Sequence, residues 1–196
     1  SASETPEKTD ILAPNTPTLE PLPEATNSAV ISLKGFAETN STVKIIVNGE
    51  PFKQTKTDKN GEFKVLNITL KEGKNKIKAR TVDQANNESD YSRVINIILD
   101  TESPKLDIFS IKNDDKFFDK DKEITIQGAT EEQAIIYING RLAITDSQGS
   151  FSINLELKEG ENIIKFNATD PAGNITDKVN LTQRQRSARL TPTSKA

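Results

Sequence analysis

One stretch of this chain is written twice, and that duplication limits the fold more than any single residue does. Thr57-Asp58, Gly61 and Phe63 return 88 positions later as Thr145-Asp146, Gly149 and Phe151. Leu70-Lys71-Glu72-Gly73, Asn75, Ile77 and Lys78 return 87 positions later as Leu157-Lys158-Glu159-Gly160, Asn162, Ile164 and Lys165. Asp83, Ala85 and Asn87 come back as Asp170, Ala172 and Asn174. An offset that drifts by one residue marks two separate domains differing in a loop, not a short-period solenoid. Within 196 residues the repeat therefore sets two domains of about 85 residues each, near the small end of independently stable sizes.

Period-two alternation runs through both copies. Val43, Ile45 and Val47 point one way before Asn48-Gly49, and Ala134, Ile136 and Ile138 do so before Asn139-Gly140. Asn-Gly suits a type I′ hairpin, which needs positive φ at both central residues. A second turn follows at Asp58-Lys59-Asn60-Gly61 and at Asp146-Ser147-Gln148-Gly149. The most regular strand places Ile77, Ala79 and Thr81 on one face in the first copy, and Ile164, Phe166 and Ala168 in the second. No stretch keeps a 3.6-residue apolar period. About seven short strands per copy, with turn signals every 8–12 residues, predict an all-β chain of two tandem antiparallel β-sandwiches. An up-and-down barrel is the competing layout. The expected division is a Pro/Thr/Glu linker over 1–16, sandwiches over 17–101 and 102–182, and a basic flexible tail over 183–196. Pro104 opens the second sandwich at a sheet edge, and the short join predicts domains set end to end.

Composition excludes more than it assigns. With neither His nor Cys, the chain lacks the usual zinc, haem and iron–sulfur ligands, the commonest general base and the best protein nucleophile. No apolar run is long enough to cross a bilayer. Net charge is −3, and Arg184, Arg186, Arg189 and Lys195 give the last 14 residues four cations and no acid. The body is therefore more acidic than the whole and should repel nucleic acid. Met is absent throughout, which reads as a processed or excised piece with any leader or anchor outside it.

The strings Thr-Asp-x-x-Gly-x-Phe, Leu-x-x-Gly-x-Asn-x-Ile and Asp-x-Ala-x-Asn resemble bacterial immunoglobulin-like repeats. More narrowly, they resemble the group named after domain B of glucodextranase. The likeness covers roughly 17–100 and 104–182, and copy two carries the fuller form, Asp170-Pro171-Ala172-Gly173-Asn174. Copy one departs to Asp83-Gln84-Ala85-Asn86-Asn87. The resemblance implies an Ig-like sandwich from a bacterial secreted or surface-exposed protein. Such domains serve as spacers, adhesin stalks and enzyme accessories.

Candidate sites are weighed against plainer readings. Asp58, Asp83, Asp146 and Asp170 lie in turns that could offer calcium one carboxylate each, too few for its six to eight oxygens. Asx-turns capping their own backbone are the favoured reading. Asp114, Asp115, Asp119 and Asp121 are interleaved with Lys112, Lys116, Lys120 and Lys122 and read as a solvated loop. Asp100, Glu102 and Asp107 flank the join and leave a bridging ion open. Phe117-Phe118 reads as an insertion that closes the second core, and Tyr137 should point outward between Ile136 and Ile138. Six Asn-x-Ser/Thr sequons, at Asn40, Asn67, Asn87, Asn167, Asn174 and Asn180, exceed chance only slightly. The expectation is a non-enzymatic extracellular module without cofactor, acting as stalk and protein-interaction or adhesion surface. Its partners would be proteins or cell-surface components, with self-association open and no nucleic acid. It would meet a membrane only through an anchor outside this stretch. The alternative is a weak glycan-binding accessory of a polysaccharide-acting enzyme.

Overall fold

Corners and alternation together build each unit. In the computed structural model, which describes residues 11–118 and 120–186, Asn48 and Gly49 take φ of 55° and 90°, and Asn139 and Gly140 take 48° and 76°. Each pair thus closes a tight hairpin. The chain divides between Thr101 and Glu102 into two units.

Unit one contains β1 (Thr18–Leu19), β2 (Ala25–Thr26), β3 (Val30–Phe36), β4 (Thr42–Val47), β5 (Glu50–Lys56), β6 (Glu62–Thr69), β7 (Gly73–Val82) and β8 (Ile95–Leu99). A three-stranded sheet of order β1-β3-β6 faces a five-stranded sheet of order β2-β8-β7-β4-β5. Unit two repeats the plan with β9 (Leu106–Ile108), β10 (Asp115–Phe118), β11 (Glu123–Thr130), β12 (Ile135–Ile138), β13 (Arg141–Ala143), β14 (Ser150–Glu156), β15 (Gly160–Thr169) and β16 (Ile175–Gln185). Its sheets run β9-β11-β14 and β10-β16-β15-β12-β13. The described residues are all-β, and among them each sandwich has eight strands where about seven were expected.

Two pairings depart from an antiparallel plan. β2 lies parallel to β8, and β10 lies parallel to β16. The residues around Phe117-Phe118 are therefore the counterpart of β2 rather than an insertion. Strand alternation then separates the two rings. Phe117 packs on the second core, whereas Phe118 stays exposed, so only the first helps to close it.

The expected tail differs as well. Gln183 and Arg184 pair with Glu161 and Gly160 of β15 on one side and with Lys116 and Phe117 of β10 on the other. Ladder bonding on both flanks overrides a polar, basic composition. At the other end Pro14, assigned to a linker, is buried. A proline can be buried without stranding a backbone donor. Residues 11–13, 15 and 16 are exposed and lie outside any strand, as a linker would; residues 1–10 and 187–196 of the two expected segments lie outside the described residues.

Each core lies between its two sheets. Leu33, Val43, Ile45, Phe63, Ile77 and Ala79 fill the first; Ile126, Ile136, Ile138, Phe151, Ile164 and Phe166 fill the second. In both, a phenylalanine sits opposite a glycine across the three-stranded sheet, Phe63 with Gly35 and Phe151 with Gly128. A Cβ at Gly128 would overlap the Phe151 ring and the Asp107 carbonyl. The glycine is the space into which the ring lies.

Asn75 and Asn162 hold the turn that opens β7 and β15. Asn75 is fully buried. Its Oδ1 accepts from the Lys71 N–H at 3.0 Å and from Asn48 Nδ2 at 2.9 Å, and its Nδ2 donates to Lys71 O at 2.7 Å and Gly73 O at 3.0 Å. Asn162 repeats the bonds to Lys158 N, Lys158 O and Gly160 O.

Two substitutions test these supports. Gly128→Ala should cost unit two about 1–3 kcal/mol by overpacking, read as a lower urea midpoint at unchanged slope. Asn75→Ala leaves several turn groups without their partner and should cost about 2–3 kcal/mol. A loss below roughly 0.5 kcal/mol, the range of ordinary surface changes, would remove either assignment.

Candidate interaction surface

Because inward residues alternate with outward ones, the five-stranded sheet of each unit shows a second face to solvent. Ile77 and Ala79 face the core, so β7 turns Lys74, Lys76, Lys78 and Arg80 outward. Arg80 pairs across the ladder with Lys44 of β4, and Lys76 with Asn96 of β8. Glu88 joins this row: its carboxylate accepts from Lys44 Nζ at 2.8 Å and forms an ion pair with Arg80. The hydrogen bond from Lys44 leads in holding the Glu88 carboxyl below its ordinary pKa, helped by the charges of Arg80 and Lys44 against partial desolvation. Tyr91 lies alongside, with Lys78 Nζ 3.7 Å and the Arg80 guanidinium 5.3 Å from its ring centre. A shallow open depression of about 460 Å³ borders the row, lined by Lys44, Ile46, Pro51, Gln54, Arg80 and Tyr91 among others.

Unit two keeps the inside and changes the outside. The rung held by Lys76 and Asn96 becomes Ile163 and Leu181, and that held by Arg80 and Lys44 becomes Asn167 and Tyr137. Ile163, Ile175 and Val179 are 50%, 52% and 57% exposed, and Ile135, Tyr137, Leu142, Leu181 and Phe118 share this face. Those eight large apolar side chains leave on the order of 600 Å² uncovered in all, the upper end of the largest apolar patch on a typical monomer. Lys165 and Asp177 stand near its centre, on adjacent strands two rungs apart, and Asp177 accepts from Asn167 Nδ2 at 2.8 Å. Sequence reading placed Tyr137 outward. It missed the apolar face, because the exposed residues are spread over five strands that meet only in the folded sheet.

The turn aspartates cap backbone. Asp58 Oδ1 accepts from Asn60 N at 2.8 Å and Glu62 N at 2.9 Å, and Asp146 Oδ1 accepts from Gln148 N and Ser150 N, both at 2.9 Å. Asp83 accepts from Asn87 N and Nδ2, both at 2.8 Å, and the side-chain bond leads in lowering its pKa. Asp170 does the same with Asn174 at 2.9 and 2.8 Å. The sequon side chains of Asn87 and Asn174 are thus engaged. Asp115 accepts from Lys112 N at 2.7 Å and Asp121 from Phe118 N at 3.0 Å, while Asp119 lies outside the described residues. Near the join, Asp107 stands 4.0 Å from Lys178. Among the described residues, no three acidic side chains gather as a metal-binding group.

The Glu88 arrangement makes a pH prediction. A depressed folded pKa contributes stability that is present above the unfolded value and lost as pH falls through the folded one. By carboxyl-carbon NMR, Glu88 should titrate below the ordinary glutamate value, and Lys44→Met should move it back toward that value. A Glu88 midpoint at the ordinary value would discard the bonded row.

Comparison with known proteins places these faces on a known frame. Residues 104–184 match the family model described as glucodextranase, domain B, and residues 13–96 match bacterial Ig domain. Bacillopeptidase F of Bacillus subtilis (strain 168) is 35% identical over 156 residues, covering 78% of this chain and 10% of that protein. The chain therefore spans about a tenth of the length of this curated relative. Among solved structures, the fibronectin(III)-like modules of Clostridium thermocellum CbhA align with TM-score 0.56 at 14% identity, over 92% of this chain and all of theirs. That likeness is one of fold. A bacterial ice-binding adhesin aligns with TM-score 0.46 at 16% identity, over 92% of this chain and 67% of its own.

Proposed function

We propose, from the premise that both units are bacterial Ig-like domains resembling domain B of glucodextranase, that the chain is a non-catalytic module of a bacterial surface or secreted protein. It adds length as a spacer and docks protein through the outer sheet face of unit two, the partner being a second copy of the chain. Ig-like and fibronectin III-like domains of this kind occur in bacterial surface and secreted proteins and are typically non-catalytic, which supports the extracellular, non-enzymatic reading.

The apolar face of unit two carries the docking role. Its uncovered area approaches the roughly 800 Å² per partner of a standard interface. Two copies meeting face to face about a twofold axis make a self-complementary contact. Lys165 and Asp177 then supply one charge of each sign, so a twofold arrangement sets each lysine against the other copy's aspartate. The matching face of unit one, with its row of cations, would repel itself.

Sedimentation velocity across the micromolar range should show a concentration-dependent shift from monomer to dimer. Ile163→Asp with Val179→Asp should abolish it while leaving the circular dichroism spectrum intact. Lys165→Asp should weaken it, and adding Asp177→Lys should restore it. A chain that stays monomeric up to about 1 mM, where association is worth only about 4 kcal/mol, would refute self-docking. A dimer indifferent to these changes would do the same.

A further inference from the structure

The cationic face of unit one is a second, chemically distinct surface. The geometry points to a binding site for a linear phosphodiester-linked polyol polymer along β7. Lys74, Lys76, Lys78 and Arg80 project from one strand to the same side, spaced about 6.7 Å apart along a line of about 20 Å. Lys74 and Lys76 are open charges one interval apart, and Lys78 and Arg80, engaged by Tyr91 and Glu88, continue the line. The arrangement matches a polymer with an anion in every repeat better than it matches a single small anion.

Three observations sharpen the ligand. First, the row is not needed to build the sandwich. Unit two forms the same sheet with Glu161, Ile163, Lys165 and Asn167 at the corresponding places, so folding leaves these positions free. Second, Arg80 and Lys44 are tied to Glu88, while no acid lies within ion-pair distance of Lys74 or Lys76 among the described residues. The open charges are lysines. A lysine is a compact point charge and binds phosphate as such. Third, the bordering depression offers the Gln54 amide and the apolar surfaces of Ile46 and Pro51, a mixed lining that can cover carbon chains and hydroxyl groups. Its aromatic supply is small. Tyr91 carries Lys78 over its ring and Phe52, the other aromatic of the depression, packs on the core with Lys53 over its ring, which argues against a platform for stacked bases.

Such binding should follow counterion release, weakening steadily as salt rises. The test uses the full chain and fluorescently labelled poly(glycerol phosphate), read by anisotropy at low salt and through a salt series. The expected result is saturable binding that falls with salt. Lys74→Glu with Lys76→Gln should cut affinity roughly tenfold or more, because it removes two phosphate contacts and adds a repelling charge. Lys64→Glu, the same change of sign at an exposed position on the three-stranded sheet of unit one, should leave affinity within about twofold. Both variants alter exposed positions, and circular dichroism checks that they fold. The proposal is overturned by absent binding, or by equal loss in the Lys64→Glu variant. Tighter binding of polygalacturonate would assign the row to carboxylates, and tighter binding of oligo-dT would assign it to nucleic acid. Either would also overturn it.

Discussion

A strand buried on one side carries two independent sets of side chains, because successive residues point to opposite faces. The two units of this chain depend on that separation. Burying an isoleucine or phenylalanine contributes about 1.5–3 kcal/mol, so Ile77, Ile164 and Phe166 are held to their character by the core. An exchange on the outward side, between Lys76 and Ile163, shifts stability by about 0.5 kcal/mol or less. Folding therefore specifies the inward set and says little about the outward one. The contrast between a cationic face and an apolar face on one frame needs a cause other than stability.

The corners make the inward set dependable. A one-residue slip would turn every core side chain to solvent, and small polar side chains hold the register against it. Asn48 Oδ1 accepts from Lys76 N at 2.9 Å, and Asn139 Oδ1 accepts from Lys165 N at 2.8 Å, so each hairpin is pinned to the adjoining long strand. Asn75 and Asn162 tie the turn that starts that strand, and Asp58 and Asp146 tie the turn that crosses from the five-stranded to the three-stranded sheet. Gly61 and Gly149 serve the same corners. Both have positive φ, and a Cβ at either would strike a carbonyl, that of Ala37 or Thr130. The repeated letters of the sequence are largely these corners, which is why the duplication is visible while the faces diverge.

What could be read from the residues follows the same division. The β-sandwich class, the Asn-Gly hairpins, the inward rows at Val43-Ile45-Val47 and Ile164-Phe166-Ala168, and the outward Tyr137 all come from alternation and turn chemistry, which are local. β2 and β10 escaped because two to four residues are too few to show a period, and their parallel partners lie far along the chain. Gln183 and Arg184 looked like tail because their composition is polar, and only neighbours on both sides make them strand. The surfaces were the least legible. Alternating lysines on β7 look like any solvated strand. Ile135, Leu142, Ile163, Ile175 and Val179 are ordinary single exposures until the sheet gathers them into one patch.

The two faces cannot substitute for one another, and their physics differ in a way that matters for a chain of net charge −3. Spread evenly, its charges would give no anionic polymer a foothold. Gathered along β7, the same lysines make a local positive line that acts within a Debye length of about 10 Å at 0.1 M salt. Attraction of that kind weakens as salt rises, whereas contact between apolar faces does not depend on unscreened charge and is strengthened by strongly excluded salts. The two proposed contacts therefore differ in kind: ionic conditions regulate the one along β7 and weigh less on the apolar one. Each face can differ between the units without disturbing a single inward residue.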